Sequence, residues 1–157
     1  IGNIVPGEKI KIKLELDVEP PAHQEFVEAK IQSPFSAKIY AHNLETCMGQ
    51  KIHAILCRGS AHGMDIIKGR DLYDYEWYLN KQITPNYKNL TACLNRIGPW
   101  KDQNIIATKD WVLEKIKESF KTKDFKLILQ DVKPLIDISE FLKIETKWNA
   151  DYFLNKM

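Results

Sequence analysis

Across residues 9–18 every second side chain is apolar: Ile10, Ile12, Leu14, Leu16 and Val18 share one face, and Lys9, Lys11, Lys13, Glu15 and Asp17 the other. From Asn43 onward the apolar residues recur every three or four positions instead. A hydrophobic period that switches once, from strand-like to helix-like, constrains the chain to build a sheet first and helices afterwards. The predicted class is therefore α+β, a small antiparallel sheet followed by a helical block. Pro20-Pro21 closes the first strand, and strand-like runs at residues 25–32 and 36–41, turned at Ser33-Pro34, complete a three-stranded meander.

In the helical part, Asn43 is the candidate N-cap of a helix reaching to about residue 58, with Leu44, Cys47, Met48, Ile52, Ile55 and Leu56 as its apolar stripe. Residues 59–69 hold three glycines and read as a loop, followed by a second helix over 70–81. Thr84 as cap with Pro85 at the first helical position predicts a third, ending before Gly98-Pro99. A fourth runs over 108–121. Residues 124–157 read as shorter helices interrupted by Pro134, with Ser139 as a candidate cap and Trp148, Tyr152 and Phe153 as anchoring aromatics.

A length of 157 residues with 44% hydrophobic and 28% charged side chains is enough for one packed domain and excludes a disordered chain. A formal charge of +2 is too small for a nucleic-acid wrapper or a polybasic membrane binder. No apolar run approaches the roughly 20 residues of a membrane helix, and the start carries no signal-peptide pattern. Cys47, Cys57 and Cys93 are odd in number and form no C-x-x-C pair, which predicts reduced thiols and a cytoplasmic protein. The chain opens with Ile1 rather than Met, as a piece of a longer protein would.

Lys51 lies inside the apolar stripe of the first helix, where a cation needs a partner. Either its stem covers apolar surface while its head reaches water, or it is a fixed positive charge for a phosphate or carboxylate. Arg58 follows two turns later, near the helix C-terminus, where a cation also suits the dipole. Lys68-Gly69-Arg70 leads into the next helix, whose free N–H groups favour anions. Asp71 and Asp74, three apart, share a face of that helix; one could simply neutralise its N-terminus, but Tyr73, Tyr75, Trp77 and Tyr78 surround them and predict burial on several sides. Pairing with Lys51 or Arg58 is the least costly way to bury an acid there. On the first strand Glu15 and Asp17 form either a solvated charged face or carboxylates for Mg²⁺. His53 and Cys57, at i and i+4, have no second pair at zinc-ligand spacing, and His23, His42 and His62 fall in predicted turns.

Lys51-Ile-His-Ala-Ile-Leu-Cys-Arg58 followed by Lys68-Gly-Arg-Asp-Leu-Tyr-Asp74 resembles the K-x6-R…R-D-x-x-D signature of the AbiEii/AbiGii nucleotidyltransferase toxins of type IV toxin–antitoxin systems. The likeness extends from the first strand to Asp131-Val-Lys-Pro and Trp148. It implies the back part of a nucleotidyltransferase fold like that of the DNA polymerase β superfamily, with residues 1–42 completing its sheet and 43–157 forming a helical C-terminal region. It also implies Mg²⁺, an NTP substrate, a tRNA or protein acceptor and a cognate antitoxin. Carried over residue by residue, Lys51 approaches the nucleotide phosphates, and Asp71 and Asp74 are the paired acids. Arg58, Lys68 and Arg70 support phosphate or orient those acids, and Glu15, with Asp17 as competitor, is the strand acid that meets the metal. The family's Gly-Ser with its following acidic pair has no counterpart, since Gly59-Ser60 stands between the two helices. The N-terminal catalytic segment is thus expected to be absent and this chain inactive alone. The alternative expectation is a non-enzymatic module that binds protein or RNA.

Overall fold

The computed structural model describes residues 13–58 and 67–157. Two antiparallel strands, β1 (Phe26–Ile31) and β2 (Ala37–His42), pair from Phe26 opposite His42 to Ile31 opposite Ala37. The turn between them holds Ser33-Pro34, as predicted. Helices follow: α1 (Leu44–Cys57), α2 (Gly69–Asn80), α3 (Tyr87–Arg96), α4 (Lys109–Phe120), α5 (Phe125–Val132), a 3₁₀ turn (Lys133–Leu135), α6 (Ile138–Glu145) and α7 (Ala150–Lys156). The architecture is α+β.

The first predicted strand is corrected. Residues 9–12 lie outside the described residues, and 13–18 form no strand; Leu14, Leu16 and Val18 are 87–88% exposed. An alternating run becomes a strand only when an edge supplies backbone partners and a surface covers its dry face. The described sheet is a hairpin rather than a meander. His42 ends β2 rather than sitting in a turn, while residues 59–66, which include His62 and Gly59-Ser60, lie outside the described residues.

Asn43 caps α1 as predicted, its Oδ1 accepting from Thr46 N at 2.9 Å. Met48, Ile52, Ile55 and Leu56 are buried, but Leu44 in the first turn faces out. For α3 the cap is Asn86, not Thr84: its side chain accepts from Asn89 N at 3.0 Å while its own N–H donates to Glu45 O of α1 at 2.8 Å. Tertiary anchoring to α1 therefore sets where this helix begins, and Thr84-Pro85 becomes its approach. Thr108 caps α4 as expected. Asp137 caps α6, accepting from Glu140 N at 3.0 Å, and Ser139 instead donates its hydroxyl to that same carboxylate at 2.6 Å. A carboxylate is the stronger acceptor for a helix N-terminus.

Ile52, Ile55, Leu72, Leu90, Leu94, Ile116 and Phe153 are essentially inaccessible and define one core shared by the helices. α1 packs on α2 and α3, and α2 also packs on α5 and α7. Trp148 and Phe153 join Phe120 and Phe125 in an aromatic cluster with ring centroids 5.3–6.2 Å apart. Trp77 departs from expectation: it is 45% exposed, with the Lys81 ammonium 5.7 Å from its ring.

Candidate functional site

α1 and α2 lie against each other, so a side chain from the inner face of one must meet the inner face of the other. Lys51 projects from α1 and its ammonium lies 3.0 Å from Asp71 Oδ1 and 2.8 Å from Asp74 Oδ2. The i, i+3 spacing on α2 puts both acids on one side, as the sequence predicts. Asp71 is only 1% exposed, whereas half of the Asp74 side chain is open to solvent. Burial alone would lower the pKa of the Lys51 ammonium; its hydrogen bonds to Asp74 and Asp71 outweigh that and hold it above the ordinary lysine value. The lysine is therefore neither a snorkelling side chain nor a free point charge.

Arg58, at the C-cap of α1, brings Nε to 2.9 Å from Asp71 Oδ2. The N–H is not directed at that oxygen, so the two buried atoms attract as charges without an aligned hydrogen bond. Two cations and two carboxylates balance, so the buried Asp71 side chain is not left without an opposite charge.

The start of α2 is organised differently from the sequence reading. Lys68 is its N-cap residue and makes no side-chain capping bond. The Gly69 N–H, expected to be free for a phosphate, donates to Asp131 Oδ2 of α5 at 2.7 Å. Arg70 is exposed, and neither Arg70 nor Lys68 forms an ion pair among the described residues. Opposite the ion cluster, Glu76 accepts from Trp148 Nε1 at 2.8 Å and from the Tyr152 hydroxyl. Sequence reasoning marked Asp131 only as part of the family likeness and missed Glu76; neither contact was legible, since each spans more than sixty residues of chain.

The structure does not bring Glu15 and Asp17 to this cluster. Asp17 takes a two-pronged contact from Arg96 of α3 at 2.8 and 2.9 Å, and Glu15 pairs with Lys13. Burial pushes the His53 imidazole below its ordinary pKa, and its Nε2 donates to Ile97 O at 3.2 Å. No group of three or more His, Cys, Asp or Glu side chains surrounds a possible cation site among the described residues. The described carboxylates are engaged by cations of the chain itself: Asp71 and Asp74 surround an ammonium, and Asp17 a guanidinium.

With this geometry in hand, the comparison with protein families is decisive. The model of the nucleotidyl transferase AbiEii toxin, type IV TA system, matches residues 2–155. This chain belongs to the AbiEii nucleotidyl transferase toxin family. No curated protein and no solved structure matches it. The AbiEii family has a nucleotidyltransferase-like fold and is the toxin side of a toxin–antitoxin system. Within this AbiEii chain, the lysine and acids of the K-x6-R…R-D-x-x-D pattern are the groups that the fold assembles at the α1–α2 interface. No helix of the described residues is long and apolar enough to cross a membrane.

Proposed function

We propose that this chain belongs to a cytoplasmic nucleotidyltransferase toxin that moves a nucleoside monophosphate from an NTP to an RNA or protein acceptor. The observation that carries this reading is Lys51 held between Asp71 and Asp74 within a family-matched chain. In the reaction an acceptor oxygen bonds to the α-phosphorus, the bond to pyrophosphate breaks, and the acceptor proton passes to a carboxylate. Such chemistry needs positioned charge more than covalent participation by the protein. Lys51 meets the phosphates; half-exposed Asp74, which shares Lys51 with Asp71, is the acid that turns toward substrate, and buried Asp71 keeps Lys51 and Arg58 in register. Lys68 and Arg70, which form no ion pair among the described residues, are the further cations offered to phosphate. A metal role for Glu15 or Asp17 requires residues 13–18 to enter a sheet and Asp17 to leave Arg96. A cognate antitoxin is the expected protein partner.

The test is incubation of the full-length gene product with labelled NTPs, Mg²⁺, and RNA or protein acceptors. Label enters an acceptor, and Lys51→Ala or Asp74→Ala abolishes the transfer. Absence of both labelling and NTP binding would overturn the reading. The rival function, a non-enzymatic interaction module, draws on the exposed sheet: Val27, Ile31 and Ile39 are 38–49% exposed on one wholly apolar face of the hairpin. Binding of a partner by a protein without nucleotide affinity would favour that rival.

A further inference from the structure

We propose that Asp131 is a positioning residue, whose carboxylate on α5 fixes the first turn of α2 so that Asp71 and Asp74 converge on Lys51. α2 begins without a side-chain cap of its own, leaving its leading N–H groups in need of acceptors. Asp131 supplies one from 62 residues away, at 2.7 Å, the short distance of a charge-assisted bond. Its negative charge also complements the positive end of the helix dipole.

A second contact makes the clamp rigid. A Cβ on Gly69 would lie 2.3 Å from Ile128 O and 2.9 Å from both Val132 Cβ and Val132 N, so α2 starts in direct backbone contact with α5. The helix cannot turn about its axis there without losing the Asp131 bond or colliding with α5. Asp71 stands two residues further on in the same turn, its N–H bonded to Lys68 O at 2.9 Å. A rotation of α2 at this point would thus be transmitted to the acid buried against Lys51 and Arg58. Asp131 itself touches neither cation, so it acts only through the helix.

The catalytic consequence rests on the transferase reading, but the geometric one does not, and the two are separated by the readout. In the 157-residue chain, hydrogen exchange of the Lys51 ammonium followed by ¹⁵N NMR at neutral pH reports how tightly the two acids hold it. Asp131→Ala should speed that exchange about tenfold or more, with a smaller rise in Asp131→Asn, which keeps an accepting oxygen. Asp137→Ala removes the same kind of carboxylate cap from α6 and should leave Lys51 exchange unchanged despite a similar fall in Tm. Wild-type exchange in Asp131→Ala, or an equal rise in Asp137→Ala, would overturn the proposal. So would wild-type exchange in Asp131→Asn if the alanine variant does not fold. Faster exchange beside a full-length gene product that neither labels an acceptor nor binds NTP would sink the transferase reading and leave the positioning role standing.

Discussion

Lys51 has two tasks that a substitution removes together. It is a candidate phosphate contact, and it neutralises a carboxylate with 1% exposure. Lys51→Ala therefore lowers stability as well as function, by about 1–3 kcal/mol for the lost charged hydrogen bonds, while Arg58 keeps Asp71 from being left wholly unpaired. A urea titration checks the first effect independently of nucleotide binding. The thiols give a second prediction at this scale. Burial pushes Cys57 up to about 12 and Cys93 up to about 11, from an ordinary 9.0. In the unfolded chain both lose their protons near 9.0, so between there and 11–12 the folded state holds more protons than the unfolded one. Their contribution to stability is fully present below pH 9.0 and is lost as pH rises through that window. Urea midpoints should fall above pH 9.0, and more shallowly in Cys57→Ala/Cys93→Ala; an unchanged slope in that double variant would refute the assignment.

Among the elements, α2 carries the most constraints. Its start is pressed on α5 at Gly69, one face holds the ion cluster, and Glu76 ties another to α7 and the turn before it. Gly69→Ala forces a methyl group into the α5 backbone, costing at least about 1–3 kcal/mol, even though alanine is the better helix former. A thermal melt that showed stabilisation would mean that α2 and α5 are not so close. The existence of the helices and most of their limits were legible in the sequence, because hydrophobic period and capping chemistry are local properties. The misassigned caps are instructive. Thr84 and Ser139 are sound local candidates, but Asn86 also reaches Thr46 Oγ1 and His23 O, and Asp137 brings a full charge. Contacts with other segments, or a better acceptor two residues away, decided both.

At the scale of the whole molecule, the hairpin and the helical block are joined at a narrow neck. Asn43 N donates to Glu25 O at 3.0 Å, Glu25 N donates to Thr46 Oγ1 at 3.1 Å, and buried Asn89 donates to Ala22 O at 2.8 Å. Beyond the neck, Phe26, Val27, Ile39 and Tyr40 remain substantially exposed, so the strands add little to the core. Replacing residues 26–42 by a short glycine linker between Glu25 and Asn43 should leave the helical block folded. Circular dichroism would show retained helicity and a cooperative melt; loss of both would mean that the hairpin is part of the core.

The sequence by itself determined the class, the order of strands and helices, and the shared face of Asp71 and Asp74, since each follows from spacing within a few residues. Only the tertiary structure decided that Lys51 and Arg58 meet those acids, that Asp131 rather than a ligand occupies the Gly69 N–H, and that Asp17 belongs to Arg96. A side chain's local spacing tells which way it points from its own element; which charge it meets there depends on where the chain returns.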